Sequence, residues 1–251
     1  MQKYILLHHE AAARFGDRLE AYGFTPVPLA ADARLNQVVA AHADTLIADG
    51  IGWSPIANRD WAECLPAHIR ERLTLIDDAP HGGYPTDCAF NALALGRCLF
   101  ARQASLAAGI RRAADEAGLT AVNVNQGYAR CSALALPSRI AAVTADAGMA
   151  AAMEAHGVQT LRIRPGYIAL AGCEYGFIGG AAFADDPLQC CSLHVKPAVY
   201  FFGDLARHPD GAAVARFLEA KGYDAMSLGG ELTDSGGAVI LRSAPTGSCC
   251  I

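Results

Sequence analysis

The chain has 251 residues, 53% hydrophobic and 18% charged, with 25 Gly and 12 Pro, so it holds enough apolar material for a packed core and is neither disordered nor collagen-like. Its 20 Lys and Arg against 25 Asp and Glu leave a net charge of −5, which removes the basic footprint of a nucleic-acid or anionic-membrane binder. A small molecule or a protein is therefore the expected partner.

The longest apolar stretch, Tyr175 to Ala184, is half the roughly 20 residues a bilayer span needs and is interrupted by glycines. At the start of the chain, Tyr4 to Leu7 is too short for the apolar part of a secretory signal, which makes the cytoplasm the expected location. Lys3 to Leu7 reads as a strand, and the helix after it carries Phe15, Leu19 and Tyr22 on one face, ends at Gly23 and runs into extended Phe24 to Val27. Asn58-Arg59-Asp60 opens a helix predicted through Arg72, leading into Leu73 to Ile76. Ala89 to Leu95 turns at Gly96-Arg97 into Cys98 to Ala101, a hairpin. A helix with Leu106, Ile110, Ala113 and Ala117 then ends at Gly118, before extended Leu119 to Val122.

The same pattern returns twice. Cys131 to Leu136 turns at Pro137-Ser138 into Ile140 to Thr144, after which Asp146 starts a helix with Met149 and Met153 that ends at Gly157 and leads into Val158 to Leu161. His208-Pro209-Asp210 starts the last helix, with Val214, Phe217 and Leu218 inward, Gly222 at its end and Tyr223 to Met226 beyond. Each glycine reads as the left-handed residue that stops a helix. The period is roughly 50 residues, giving five units of strand, strand, helix, strand, with the N-terminal strand completing the unit whose other strands come last. The expected fold is α/β: five ββαβ-like repeats around a pseudo-fivefold axis, helices outside and short strands inside, in a single domain over residues 1–251. A Rossmann reading is set aside, because no strand leads through GxGxxG into a helix and Gly229-Gly230 and Gly236-Gly237 do not open helices.

Nine cysteines is a high, odd count; two pairs are adjacent (Cys190-Cys191, Cys249-Cys250) and none is spaced CxxC, so they read as thiols. Cys64 and Cys98 read as buried small hydrophobes. No HExxH or zinc-finger spacing occurs, so neither a metal nor a cofactor is expected.

Five quasi-repeats of this kind resemble the guanidino-group-modifying enzymes of the pentein, or α/β-propeller, fold. The wording is most similar to an uncharacterised bacterial family assigned to that fold, through Tyr84-Pro85-Thr86-Asp87, Asn125 to Ser132, Tyr175 to Gly180 and Leu232 to Gly237. The resemblance implies that Asp87 is the carboxylate that holds a guanidinium, and a catalytic role for it is expected on that ground. Where the superfamily carries Gly-Gly-Asp, this chain has Arg130-Cys131-Ser132; where it carries the catalytic His, Ile168; where it carries the nucleophilic Cys, Ile240 or Leu241. No conversion of arginine, agmatine or methylated arginines to ureido products is therefore expected. A thiolate attacking an amidine carbon needs a proton donor for the departing nitrogen.

Replacement chemistry is sought in the polar run. Cys131 is a candidate catalytic thiol, since an adjacent guanidinium lowers a thiol's pKa, and its alternative is a strand cysteine packed in the core. Gln126, Tyr128, Arg130 and Ser132 are candidate substrate-binding residues, expected to share one face of an extended segment with Cys131 on the other. Arg130 faces a ligand carboxylate or phosphate, or else a structural acid such as Glu174, the fifth candidate. Replacing Arg130 by Ala is expected to remove binding with little change in melting temperature. His194 and His208 are possible new bases, with His208 also reading as a helix-start residue, His42-Ala43-Asp44 as a turn and Cys249-Cys250 as a tail. Two functions stay open: an enzyme with altered chemistry on a small nitrogen-rich or zwitterionic compound in a central pore, held by Asp87 and Arg130, or a noncatalytic pentein that senses a ligand or binds a protein.

Overall fold

Three apolar residues in succession, Ile5, Leu6 and Leu7, cannot all face one side of a strand, and in the computed structural model, which describes residues 2–186 and 196–241, all three are fully buried. They lie in strand β1 (Lys3–His8), which is covered on both faces. Helix α1 (His9–Ala21) follows, and β2 (Phe24–Leu29) returns parallel to β1. The second unit is a short helical turn α2 (Ala43–Leu46), β3 (Ile47–Ala48), β4 (Ile56–Asn58), α3 (Arg59–Ala62), α4 (Ala67–Arg70) and β5 (Thr74–Ile76). The continuous helix expected from Asn58 to Arg72 is thus broken in two, because Pro66 offers no amide to the preceding turn.

The third unit holds β6 (Leu93–Leu95), β7 (Cys98–Ala101), α5 (Ala108–Glu116) and β8 (Thr120–Asn123). The fourth holds the helical turn α6 (Ala129–Ser132), β9 (Ala133–Leu136), β10 (Ala141–Thr144), α7 (Ala147–Ala155) and β11 (Gln159–Arg162). The fifth holds β12 (Ala182–Asp185), β13 (Ala198–Phe201), α8 (Gly211–Ala220) and β14 (Asp224–Ser227), and β15 (Ala238–Leu241) closes the description.

Five three-stranded sheets result, each with an inner strand antiparallel to a middle strand, which runs parallel to an outer one. The N-terminal strand β1 pairs with the last strand described, β15, with Tyr4 opposite Leu241, as expected, but the third strand of that sheet is β2, which directly follows α1 rather than coming last. The four helix-ending glycines, Gly23, Gly118, Gly157 and Gly222, have φ of 83°, 69°, 81° and 79°, the left-handed region open to glycine. Asp146 caps α7, accepting from the Met149 amide at 2.9 Å.

Side-chain alternation decides how the sheets pack. From β1, Leu6 joins Ile47, Ala57 and Trp61 of the second unit, whereas Ile5 and Leu7 join Phe183 and Tyr200 of the fifth. Further clusters link the second unit to the third through Ile56 and Leu99, the third to the fourth through Phe100 and Ala142, and the fourth to the fifth through Val143 and Phe201. Every core cluster therefore sits between two successive sheets, and the fifth returns to the first. Burying one such Leu, Ile or Phe contributes about 1.5–3 kcal/mol. Among the described residues, no helix is long and apolar enough to cross a membrane. Cys98 is buried as expected, but Cys64 is exposed, since it follows the end of α3 on the solvent side of the break at Pro66.

Candidate functional site

The five segments that lead into the inner strands carry most of the buried polar chemistry. Asp44 and Asn91 precede β3 and β6, Cys131 precedes β9, Gly179-Gly180 precedes β12, and Asp234 precedes β15. The last four meet directly. Asn91 Oδ1 accepts from the Arg130 and Cys131 amides at 2.7 and 3.2 Å, which holds residues 129–132 in a helical turn. This corrects the extended segment expected there: strand pairing starts at Ala133, and Gln126, Tyr128, Arg130 and Ser132 do not alternate on one face.

Cys131 is buried, with its thiol donating to Asp234 Oδ2 at 3.4 Å beside the carboxyl of Asp44. Burial and the two acids push its pKa well above the ordinary thiol value, which reverses the lowering expected from Arg130. Asp234 also accepts from the Phe177 and Gly236 amides at 2.8 and 2.9 Å. A Cβ on Gly180 would fall 1.9 Å from its Oδ1, so only glycine leaves room for this carboxylate. Asp44 is fully buried, accepts from Thr45 Oγ1 at 3.3 Å, and has no partner for Oδ2. Burial, with Asp234 adding to it against the opposing pull of His42 and Arg130, pushes its pKa up to about 6.

Arg130 reaches the other way, into a cavity of about 560 Å³. Leu93 and Ala94 of β6, Leu134 and Ala135 of β9, Phe183 and Ala184 of β12 and Ala238 and Ile240 of β15 line it, and Asp49, just past β3, completes the ring. The Arg130 Nε donates to Asp49 Oδ1 at 3.1 Å and its Nη2 to the Ala238 carbonyl at 3.4 Å. Burial alone would pull the guanidinium's pKa down, but Asp49 outweighs it and holds it up. The side chains of Arg130 and Asp49 are 14% and 28% exposed, a partly wetted ion pair in an otherwise apolar wall. Asp186, at the same cavity, is committed to Ser138 and to the Tyr223 hydroxyl.

The remaining candidates sit elsewhere. Asp87, in a 3-10 turn (Thr86–Cys88), is 1% exposed and accepts from the Tyr128 hydroxyl at 2.6 Å and the Cys88 thiol at 3.3 Å. It does not line the Arg130 cavity, so the expected pairing of Asp87 and Arg130 around one ligand is not formed. Burial, with the bond to Asp87, pushes the Tyr128 pKa up. The Gln126 amide donates to Asp146 Oδ2 at 3.0 Å and its carbonyl accepts from the Tyr128 amide at 3.1 Å. The Ser132 hydroxyl donates to the Ala129 carbonyl at 3.0 Å. Glu174 is exposed beside a separate cavity of about 310 Å³, so the structural acid of Arg130 is Asp49 instead.

His208 Nδ1 accepts from the Asp210 amide at 3.0 Å, which leaves Nε2 to donate to the Arg164 carbonyl at 3.2 Å; neither nitrogen is open to act as a base. His42-Ala43-Asp44 does form a turn, the single helical turn of α2, whose first carbonyl is that of the buried His42. Ile168 and Leu241 are buried. His194, Cys190-Cys191 and Cys249-Cys250 lie outside the described residues. Because Arg130 is buried and paired, the expectation that Arg130→Ala leaves the melting temperature nearly unchanged is also corrected.

Fold and site together define a mixed α/β protein of five three-stranded sheets, in which β6, β9, β12 and β15, with the segment after β3, line a cavity that holds the Arg130–Asp49 ion pair. A family model described as a family of unknown function, DUF6873, matches residues 6–239, and the chain belongs to that family. No curated protein matches it.

Proposed function

We propose that the five sheets close into a pentein-type α/β propeller about a pseudo-fivefold axis, and that its axial cavity binds a small zwitterionic compound in the cytoplasm without covalent chemistry. Closure is supported by the core clusters, each shared by successive sheets and the fifth returning to the first. The observation that carries the binding function is the Arg130–Asp49 pair in a cavity to which every unit contributes. At about 560 Å³ the cavity falls within the range of small-ligand sites, roughly 300–1,000 Å³. A ligand carboxylate takes the guanidinium of Arg130 while its ammonium takes Asp49, so one internal ion pair is exchanged for two external ones and no charge is left buried alone. The apolar walls select the rest of the molecule.

Covalent chemistry is disfavoured because Cys131 is held protonated between two acids and, among the described residues, no imidazole lines the cavity. The test is a calorimetric screen of the free α-amino acids, agmatine and short dipeptides, with a colorimetric assay for ureido product. Binding of a zwitterion that Asp49→Asn weakens at least about tenfold, with no product, is expected. Binding by agmatine alone, which has no carboxylate, or ureido product lost on replacing one cysteine, would overturn the reading.

A further inference from the structure

A second cavity, about 470 Å³, lies where the inner strands begin, and the layer of Cys131, Asp44 and Asp234 separates it from Arg130 and the axial cavity. It sits against the first turn of α1, a helix of 13 residues, and is walled by His8, His9, Arg14, Gln37, His42 and Asp234. Four observations give it a direction. His42 is 3% exposed and lines the cavity, yet among the described residues no hydrogen bond engages its ring nitrogens. His8 Nδ1 accepts from the Glu10 amide at 3.2 Å, which fixes the tautomer whose N–H is at Nε2. Arg14 pairs with no carboxylate among the described residues; it donates only to Thr233 Oγ1 and the Glu231 carbonyl, both at 3.3 Å. Asp234 has already spent its oxygens on Cys131, Phe177 and Gly236.

The wall also carries the Glu10 carboxylate, but with the Asp234 oxygens engaged, Arg14, His42 and the start of α1 are donors left for a ligand. We propose that this cavity is a binding site for a phosphate-type oxyanion carried on a small molecule, with Arg14, His42 and the start of α1 as its donors. The amide dipoles of α1 point their positive end at the same place. A metal ion is the wrong occupant, because among the described residues no group of three or more His, Cys, Asp or Glu is placed to hold one.

His8 ties the binding to pH. Burial, then His42 and His9, lowers the His8 pKa to about 4 against the opposing pull of Glu10, so the ring is neutral near neutral pH. The charged groups that face this cluster are Glu10 and Arg14 on α1, Asp44 behind His42, and Asp234 on the segment before β15. An anion arriving beside His8 favours its protonated form, so binding tightens as pH falls.

The test is calorimetric titration of the whole chain with sulfate, whose charge is constant between about pH 6 and about pH 8, so any pH effect belongs to the protein. Sulfate and phosphate should bind, acetate should bind far more weakly, and sulfate affinity should rise several-fold from the higher pH to the lower. Arg14→Ala should weaken sulfate about tenfold and Glu10→Gln should strengthen it. Both residues are exposed, so these variants fold whatever becomes of His42→Asn, which should weaken sulfate binding. Undetectable sulfate binding, equal binding of acetate, or indifference to both Arg14→Ala and Glu10→Gln overturns the proposal and leaves the zwitterion reading of the axial cavity intact.

Discussion

Asp44→Asn should make this protein more stable at neutral pH, although it alters a residue at the centre of the polar layer. The carboxyl is fully buried, and its pKa rises from 3.8 in the open chain to about 6 on folding. At any pH above both values the folded state carries a charge it would rather lose, and the corresponding penalty is about 3 kcal/mol. The sign follows from proton binding. Between the two values the folded state binds more protons than the unfolded one, so stability falls as pH rises from about 4 to about 6 and is flat beyond. An amide removes the charge and keeps the acceptor for the Thr45 hydroxyl, while its new N–H groups stand beside Asp234, so a net gain of about 2 kcal/mol is expected. Urea unfolding of both proteins at about pH 7 and about pH 4 measures it. His8, whose lowered pKa acts in the opposite sense over the same window, is common to both proteins and cancels in the difference. If the variant is less stable than the native protein at about pH 7 but not at about pH 4, the ionised carboxylate is a needed partner of Arg130 and His42, and the reasoning fails.

Native-state alkylation at neutral pH should modify Cys64 and Cys173 quickly and Cys88, Cys98 and Cys131 only in denaturant; rapid labelling of Cys131 in the native protein would contradict its burial and its raised pKa. Arg130→Ala should lower stability by about 3 kcal/mol, the lower end of the range for breaking a buried pair, because Asp49 keeps some contact with water; an unchanged urea midpoint would show that the pair is worth nothing to the fold. Ile140 sits at φ 46° with its side chain 45% exposed, so Ile140→Asn should raise stability by about 1 kcal/mol by relieving a β-branched residue in the left-handed region, and a lower melting temperature would assign more weight to its packing on Gly96. Gly180→Ala should cost roughly 3 kcal/mol or more, since the added methyl overlaps Asp234; calorimetric melting within a degree or two of the native protein would mean that the layer yields easily.

The repeat was legible because its signals are local. A glycine after an amphipathic helix, a two-residue turn between apolar runs and an Asp before a helix each act within a few residues of chain, so Gly118, Gly96-Arg97 and Asp146 could be read directly. Even local reading went wrong where a distant group decides the backbone. Residues 129–132 coil instead of extending because Asn91, about 40 positions earlier, accepts two of their amides. The partner of Arg130 escaped for the same reason: Asp49 is a lone acid before a glycine, 81 residues away, and nothing around it marks it. His42 and Asp44 had a visible signal, two titratable residues two apart within an otherwise apolar stretch, but a turn and a buried polar layer look alike in sequence. Asp87 could be singled out by resemblance and Tyr128 by chemistry, yet the two bond to each other across 41 positions and neither lines the Arg130 cavity.

The pairing of β1 with β15 sets a timetable for biosynthesis. The ribosome releases β1, α1 and β2 first, but the strand that hydrogen-bonds to the open edge of β1 is the last one described, more than 230 positions later. Until then Ile5 and Leu7 lack both Ala238 and the aromatic cluster of Phe183 and Tyr200 that covers them. An unpaired edge flanked by uncovered aliphatic side chains is what a holdase chaperone retains and what promotes association between nascent chains. A rearranged gene that begins at Gly166, in the connection between β11 and β12 where no sheet is divided, and links the region of Leu241 to that of Lys3 by a flexible peptide would translate β15 just before β1. That product should emerge from the ribosome with its first-formed edge satisfied within one hairpin's length, and should depend less on chaperones for its yield.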